Sequence, residues 1–167
     1  MTKLTKSVGK RNMDLDLEKV RDYILNCSRS SKIYIGGDSE RFLHNETWYA
    51  DYATVVVIHV DGNKGCKIFG ELTRERDYDQ RVGRPSLRLM NEVAKVANLY
   101  YRLADVIGDR PCEIHLDINP DDRYGSSCVV TQAVGYIMGT CNMRPKIKPN
   151  AFAASIAADR FKDLIAA

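Results

Sequence analysis

The feature that most constrains this fold is a strand, a turn and a return strand, followed by strict alternation of β and α patterns. Residues 48–60 carry the β-branched centre Thr54-Val55-Val56-Val57-Ile58 and run into Asp61-Gly62-Asn63-Lys64-Gly65. A β-branched run ending in such a cluster reads as a strand entering a hairpin turn. Cys66 to Leu72 is the return strand.

The flanking segments complete the pattern. Residues 14–26 read as a helix with Leu17, Val20 and Ile24 on one stripe and Asp14 or Asp16 as cap. Ile33-Tyr34-Ile35 is a short strand ending in Gly36-Gly37-Asp38-Ser39. After the hairpin comes an arginine-rich loop, then an amphipathic helix over 86–106, stopped by Gly108. Its buried side is marked by Leu89, Val93, Val96, Leu99, Tyr100 and Leu103. A fourth strand spans 112–118. In it Cys112, Ile114, Leu116 and Ile118 face one way and Glu113, His115 and Asp117 the other. A helix follows over 126–139, with Val130, Val134 and Ile137 inward and Gly135 and Gly139 allowing close approach to the sheet. Lys146-Ile147-Lys148 is a short fifth strand, ended by Pro149. The last helix starts with Ser155 as N-cap, which puts Asp159 in its first turn. A hairpin followed by βαβα predicts an α/β fold: a mixed five-stranded sheet with helices on both faces.

Composition narrows the class. At 167 residues, 44% hydrophobic and 28% charged, the chain suits one globular domain over 13–167, preceded by a basic flexible arm over 1–12. No apolar run approaches the roughly 18 residues of a membrane helix, and the first residues lack the apolar core of a secretory signal. Five cysteines, an odd number with no CxxC pair, read as free thiols in a reducing cytoplasm. The net charge of +3 does not by itself imply nucleic acid. Arg74, Arg76, Arg81, Arg84 and Arg88 lie close together, and they form either a solvated loop or a phosphate-contacting one.

Asp38 and Asp117 are both placed near the carboxyl ends of strands, where open α/β sheets build their sites. If those strands are parallel neighbours, the two carboxylates converge. Like charges that close need a cation, and a hard divalent ion such as Mg²⁺ or Mn²⁺ prefers oxygen ligands. Glu92 borders the buried stripe of the long helix. Asp159 favours the dipole of the last helix. Each acid taken singly has an ordinary structural explanation; it is the conjunction of the four that points toward a site.

Asp at the end of the first strand, Glu on the first long helix, Asp at the end of the fourth strand and Asp early in the last helix is a pattern similar to the RNase H-like superfamily. Three stretches carry a closer resemblance: Ile33-Tyr34-Ile35-Gly36-Gly37-Asp38-Ser39-Glu40, His115-Leu116-Asp117-Ile118-Asn119-Pro120, and Lys146-Ile147-Lys148-Pro149 through Ala157-Ala158-Asp159-Arg160. They resemble the YkuK-type family of small predicted RNase H-like proteins. The resemblance implies a nuclease that hydrolyses phosphodiesters with two Mg²⁺ or Mn²⁺ ions. It makes Asp38, Glu92, Asp117 and Asp159 the metal-binding and catalytic set, with Asp38 bridging both ions. Lys148, Arg76, Arg81 and Arg84 are the candidate substrate contacts, and the partner is RNA or DNA. His115 reads as a packed, hydrogen-bonded histidine rather than a general base. An RNase H-like module that binds nucleic acid or protein without cutting is the alternative. A dimer acting on branched DNA is compatible with the sequence, and an actin-like phosphotransferase is disfavoured by the single Gly36-Gly37 pair.

Overall fold

The computed structural model describes residues 12–80 and 83–166, the side chains of 164–166 excepted. Residues 1–11 of the expected basic arm lie outside the described residues, and so does Arg81. Asn12 is tied to the sheet, its Oδ1 accepting the Arg74 N–H at 3.1 Å.

A four-stranded mixed sheet has the order β3-β2-β1-β4, with β1 Lys32–His44, β2 Thr47–His59, β3 Cys66–Arg76 and β4 Cys112–Leu116. β2 is antiparallel to both β1 and β3, and β1 is parallel to β4. The helices are α1 Leu17–Asn26, α2 Ser86–Ile107, α3 Val130–Cys141 and α4 Ala158–Ala166. Asp16 caps α1, its side chain accepting from the Lys19 N–H at 3.1 Å.

The sheet is covered on both faces. Ile33, Ile35, Val56, Ile58, Ile114 and Leu116 pack with α1, α2 and α3 on one side. Tyr34, Ala53, Val55, Val57 and Leu72 pack with Ala153, Ala157 and Ala158 on the other. This explains the unbroken apolar run of β2: alternate residues enter opposite cores, so both must be apolar.

The structure corrects the sequence reading in several places. β1 does not stop at Gly36-Gly37 but continues to His44, where a two-residue turn with positive φ at Asn45 and Glu46 returns it to β2. Asp38 is therefore inside a strand. It follows directly the last parallel pair of β1 with β4, Gly37 with Leu116. The glycines serve packing. A Cβ on Gly36 would lie 2.7 Å from Ala154 N, and one on Gly37 would lie 2.8 Å from Val96 Cγ2. Elements press on β1 from both faces at the residue before the site.

The fifth strand reduces to one parallel bridge, His115 with Lys146. Pro145 and Pro149 flank it and cannot donate to a ladder, although the Lys146 and Lys148 N–H groups still bond the Ile114 and Ile118 carbonyls. β4 ends at Leu116 rather than 118. Arg74 and Arg76 belong to β3, not to a loop. A Cβ added to Gly135 or Gly139 would meet nothing within 4 Å, so these glycines do not bring α3 onto the sheet. Ser155 is not an N-cap: its hydroxyl donates to the Ala151 carbonyl within a helical run that starts at Phe152 and passes through a π-helical turn, Ala153–Ala157, into α4. Among the described residues no helix is long and apolar enough to cross a membrane.

Candidate functional site

Parallel pairing brings β1 and β4 side by side, and the next residue on each chain is an aspartate: Asp38 and Asp117. From the opposite face α2 inserts Glu92, which is only 4% exposed. The three acids share a cleft of about 320 Å³, also lined by Ser39, Arg88, Ser126 and Lys148. Gly83 and Gly125 stand at its rim. Their chains touch so closely that a Cβ on Gly125 would lie 2.0 Å from the Gly83 carbonyl oxygen.

The electrostatics follow from this crowding. Burial pushes the Glu92 carboxyl up to about 8, and Asp38 and Asp117 add to the rise. Ser39 Oγ opposes it by donating to Glu92 Oε2 at 2.6 Å. The same hydroxyl accepts from Arg88 Nη1 at 2.6 Å, and that guanidinium nitrogen also reaches the Ser39 carbonyl at 3.2 Å. Asp38 is raised to about 6, again first by burial, with Lys162 opposing and Asp117 reinforcing.

Two lysines answer the aspartates. Lys162 Nζ donates to Asp38 Oδ2 at 2.6 Å, and Lys148 Nζ lies 2.8 Å from Asp117 Oδ1. The latter contact is an ion pair without hydrogen-bond alignment: Asp117 Oδ1 is a buried oxygen that receives no aligned donor. Both ammonium groups are held above the ordinary lysine range. For Lys148 the Asp117 contact leads; for Lys162 burial is the largest single effect and opposes the rise, but Asp38, Asp159 and Glu40 together outweigh it.

The remaining sequence candidates are placed apart. Asp159 is on α4, outside the cleft, with a side chain 61% exposed and 3.6 Å from Lys162 Nζ. Arg76 stacks over the Tyr78 ring at 5.1 Å, beside the cleft rather than in it. Arg84 is exposed between Gly83 and Pro85, which both line the cleft. His115 is buried, its Nδ1 accepting from the Ala153 N–H at 3.1 Å and its Nε2 2.9 Å from Glu113 Oε2. That pattern requires the Nε2–H tautomer, with Nε2 donating. Burial pushes its pKa down, so it serves as a neutral strut.

Sequence reasoning overlooked Lys162, and it did not connect Ser39 or Arg88 with Glu92. Lys162 was legible in principle, being three residues after Asp159 on the same helical face. Arg88 stood in the arginine cluster and Ser39 in the motif beside Asp38, but nothing local in the chain ties either to Glu92.

The donor chemistry suits a hard cation. The cleft brings three carboxylates together beside two serine hydroxyls, one acid is buried enough to resist ionisation, and one buried Asp117 oxygen is met only by the Lys148 ammonium. In the lysine-paired arrangement, however, no group of three or more His, Cys, Asp or Glu among the described residues is drawn together as a ligand set.

A family model described as ribonuclease H-like matches residues 17–163. No curated protein and no solved structure matches the chain.

Proposed function

This chain belongs to the ribonuclease H-like family, and we propose that it is a divalent-metal-dependent nuclease that hydrolyses phosphodiester bonds in RNA or DNA. The observation that carries the reading is the convergence of Asp38, Glu92 and Asp117 in one cleft where parallel β1–β4 pairing stops. The narrower YkuK-type membership is part of the same proposal and rests on the motifs around Asp38, Asp117 and Asp159.

Asp38, Glu92 and Asp117 would hold Mg²⁺ or Mn²⁺, while Asp159, outside the cleft and paired with Lys162, stands apart from that set. The bound metal supplies an activated water and a counter-charge for the leaving oxygen. Arg88 and Ser39 hold Glu92 in place through their hydrogen-bond chain. Lys148, with a side chain 40% exposed, turns from Asp117 to a phosphate oxygen when the acids are otherwise neutralised. Arg84, at the rim, and Arg76, beyond it, extend the cationic track along the substrate backbone.

One observation favours a second reading, a module that binds nucleic acid without cutting it. Lys148 and Lys162 already neutralise the two aspartates. The experiment that separates the two readings uses end-labelled single-stranded RNA, single-stranded DNA, an RNA/DNA hybrid, duplex DNA and a four-way junction. Each is incubated with Mg²⁺, Mn²⁺ or EDTA, beside Asp117→Asn. Metal-dependent cleavage lost in the variant is the expected result. Folded protein that retains a substrate in EDTA and cuts nothing with either metal would refute the nuclease and support the binding module.

A further inference from the structure

We infer that Lys162 is a built-in cation on the α4 side of Asp38, so that the cleft takes a single divalent ion rather than a pair. The inference rests on the metal-dependent reading above and refines it.

The geometry starts with α4. Gly36 admits the backbone of Ala153 and Ala154 against β1, and the Phe161 ring covers Gly70 so closely that a Cβ there would lie 2.8 Å from it. Ala157 and Ala158 complete the buried face. These contacts fix the rotation of the helix, and the residue after Phe161 is carried against Asp38. Lys162 Nζ lies between two carboxylates, 2.6 Å from Asp38 Oδ2 and 3.6 Å from Asp159 Oδ1. An ammonium group thus occupies the space between Asp38 and Asp159, where those two acids would otherwise share a second cation.

The two site lysines differ in freedom. The Lys148 side chain is 40% exposed and has a route to solvent or to a phosphate. Lys162 is 13% exposed and its ammonium group is held between Asp38 and Asp159. Displacing it would mean pulling an ammonium group away from a half-buried carboxylate and leaving that charge without its partner. Asp159, on the outer side, serves as the partner that steadies this lysine.

Charge points the same way. With Asp159 and Arg88 counted, four ionised carboxylates against two lysines, one arginine and one divalent ion leave one positive charge, a match for a single phosphodiester. A second divalent ion would load the cleft with two more positive charges beside an enclosed ammonium group.

The test counts Mn²⁺ bound per chain by electron paramagnetic resonance. It uses the full chain, Lys162→Met, Lys162→Arg and Asp159→Asn, with circular dichroism as the folding control. One ion is expected for the wild type and for Lys162→Arg, and two for Lys162→Met. Asp159→Asn, a surface change, is expected to alter Mn²⁺ affinity by less than about fivefold. Two ions on the wild type, one on folded Lys162→Met, or a larger loss in Asp159→Asn would overturn the inference while leaving the nuclease reading intact. No Mn²⁺ on the wild type would instead remove the metal-dependent reading, and this inference with it. If Lys162→Met does not fold, the wild-type count and Asp159→Asn still decide.

Discussion

Replacing Glu92 by Gln isolates the cost of ionising a buried acid. Its carboxyl is raised from 4.5 to about 8, with burial the leading cause. A group whose folded pKa is raised binds its proton more tightly when folded, so it supports the fold at low pH. That support is lost as pH climbs from the unfolded value toward the folded one. Each tenfold change in proton affinity corresponds to about 1.4 kcal/mol. The full rise at Glu92 therefore costs the metal-free protein at most about 5 kcal/mol between pH 4.5 and 8. Glutamine keeps the shape and an acceptor for Ser39 Oγ, and it never ionises. Urea unfolding in EDTA, followed by Trp48 fluorescence, should give nearly equal stabilities at about pH 5. At about pH 9 the variant should be the more stable by several kcal/mol. Saturating Mg²⁺ should shrink that gap by binding the ionised wild type and not the variant. A wild-type-minus-variant difference that stays flat across this range would refute the claim that burial controls this acid.

Three other perturbations probe the frame around the site. Gly36→Ala places a Cβ against the backbone of Ala153 and Ala154, which no rotamer change relieves; a loss of about 1–3 kcal/mol is expected in urea unfolding. Arg74→Met strands Asp51, now held bidentately at 2.6 and 2.8 Å on a buried surface. Removing one partner of such a pair costs about 3–5 kcal/mol, and a change below about 1 kcal/mol would contradict the burial. His115→Phe leaves the Ala153 N–H without its acceptor, at a cost of about 1–3 kcal/mol. Because burial depresses the His115 pKa, its neutral form supports the fold above the unfolded value of 6.5, and that support is lost as pH falls below it. The wild type should show this acid-side loss and His115→Phe should not, in the same unfolding series.

The types of the elements follow from periodicities written locally along the chain. The β-branched run of β2, the Asp61–Gly65 turn and the amphipathic stripe of α2 are local signals, each set by residues a few positions apart. The same signals placed Asp38 and Asp117 near the meeting of β1 and β4, because alternation and strand ends are themselves local. What is not local was misjudged or unseen. Gly36 and Gly37 looked like the end of a strand; their role is to admit neighbours from two faces, which only the packed sheet makes visible. The Asn45-Glu46 turn carries no glycine and left no mark. Lys146–Lys148 has strand character, but two prolines hold it to a single bridge. Above all, the sequence cannot say which cation answers which acid. Lys162 meets Asp38 across 124 residues of chain, and that pairing is decided by how α4 is rotated against the sheet. Rotation is set by alanines, a phenylalanine ring and missing side chains at Gly36 of β1 and Gly70 of β3, and their effect exists only once the two surfaces are in contact.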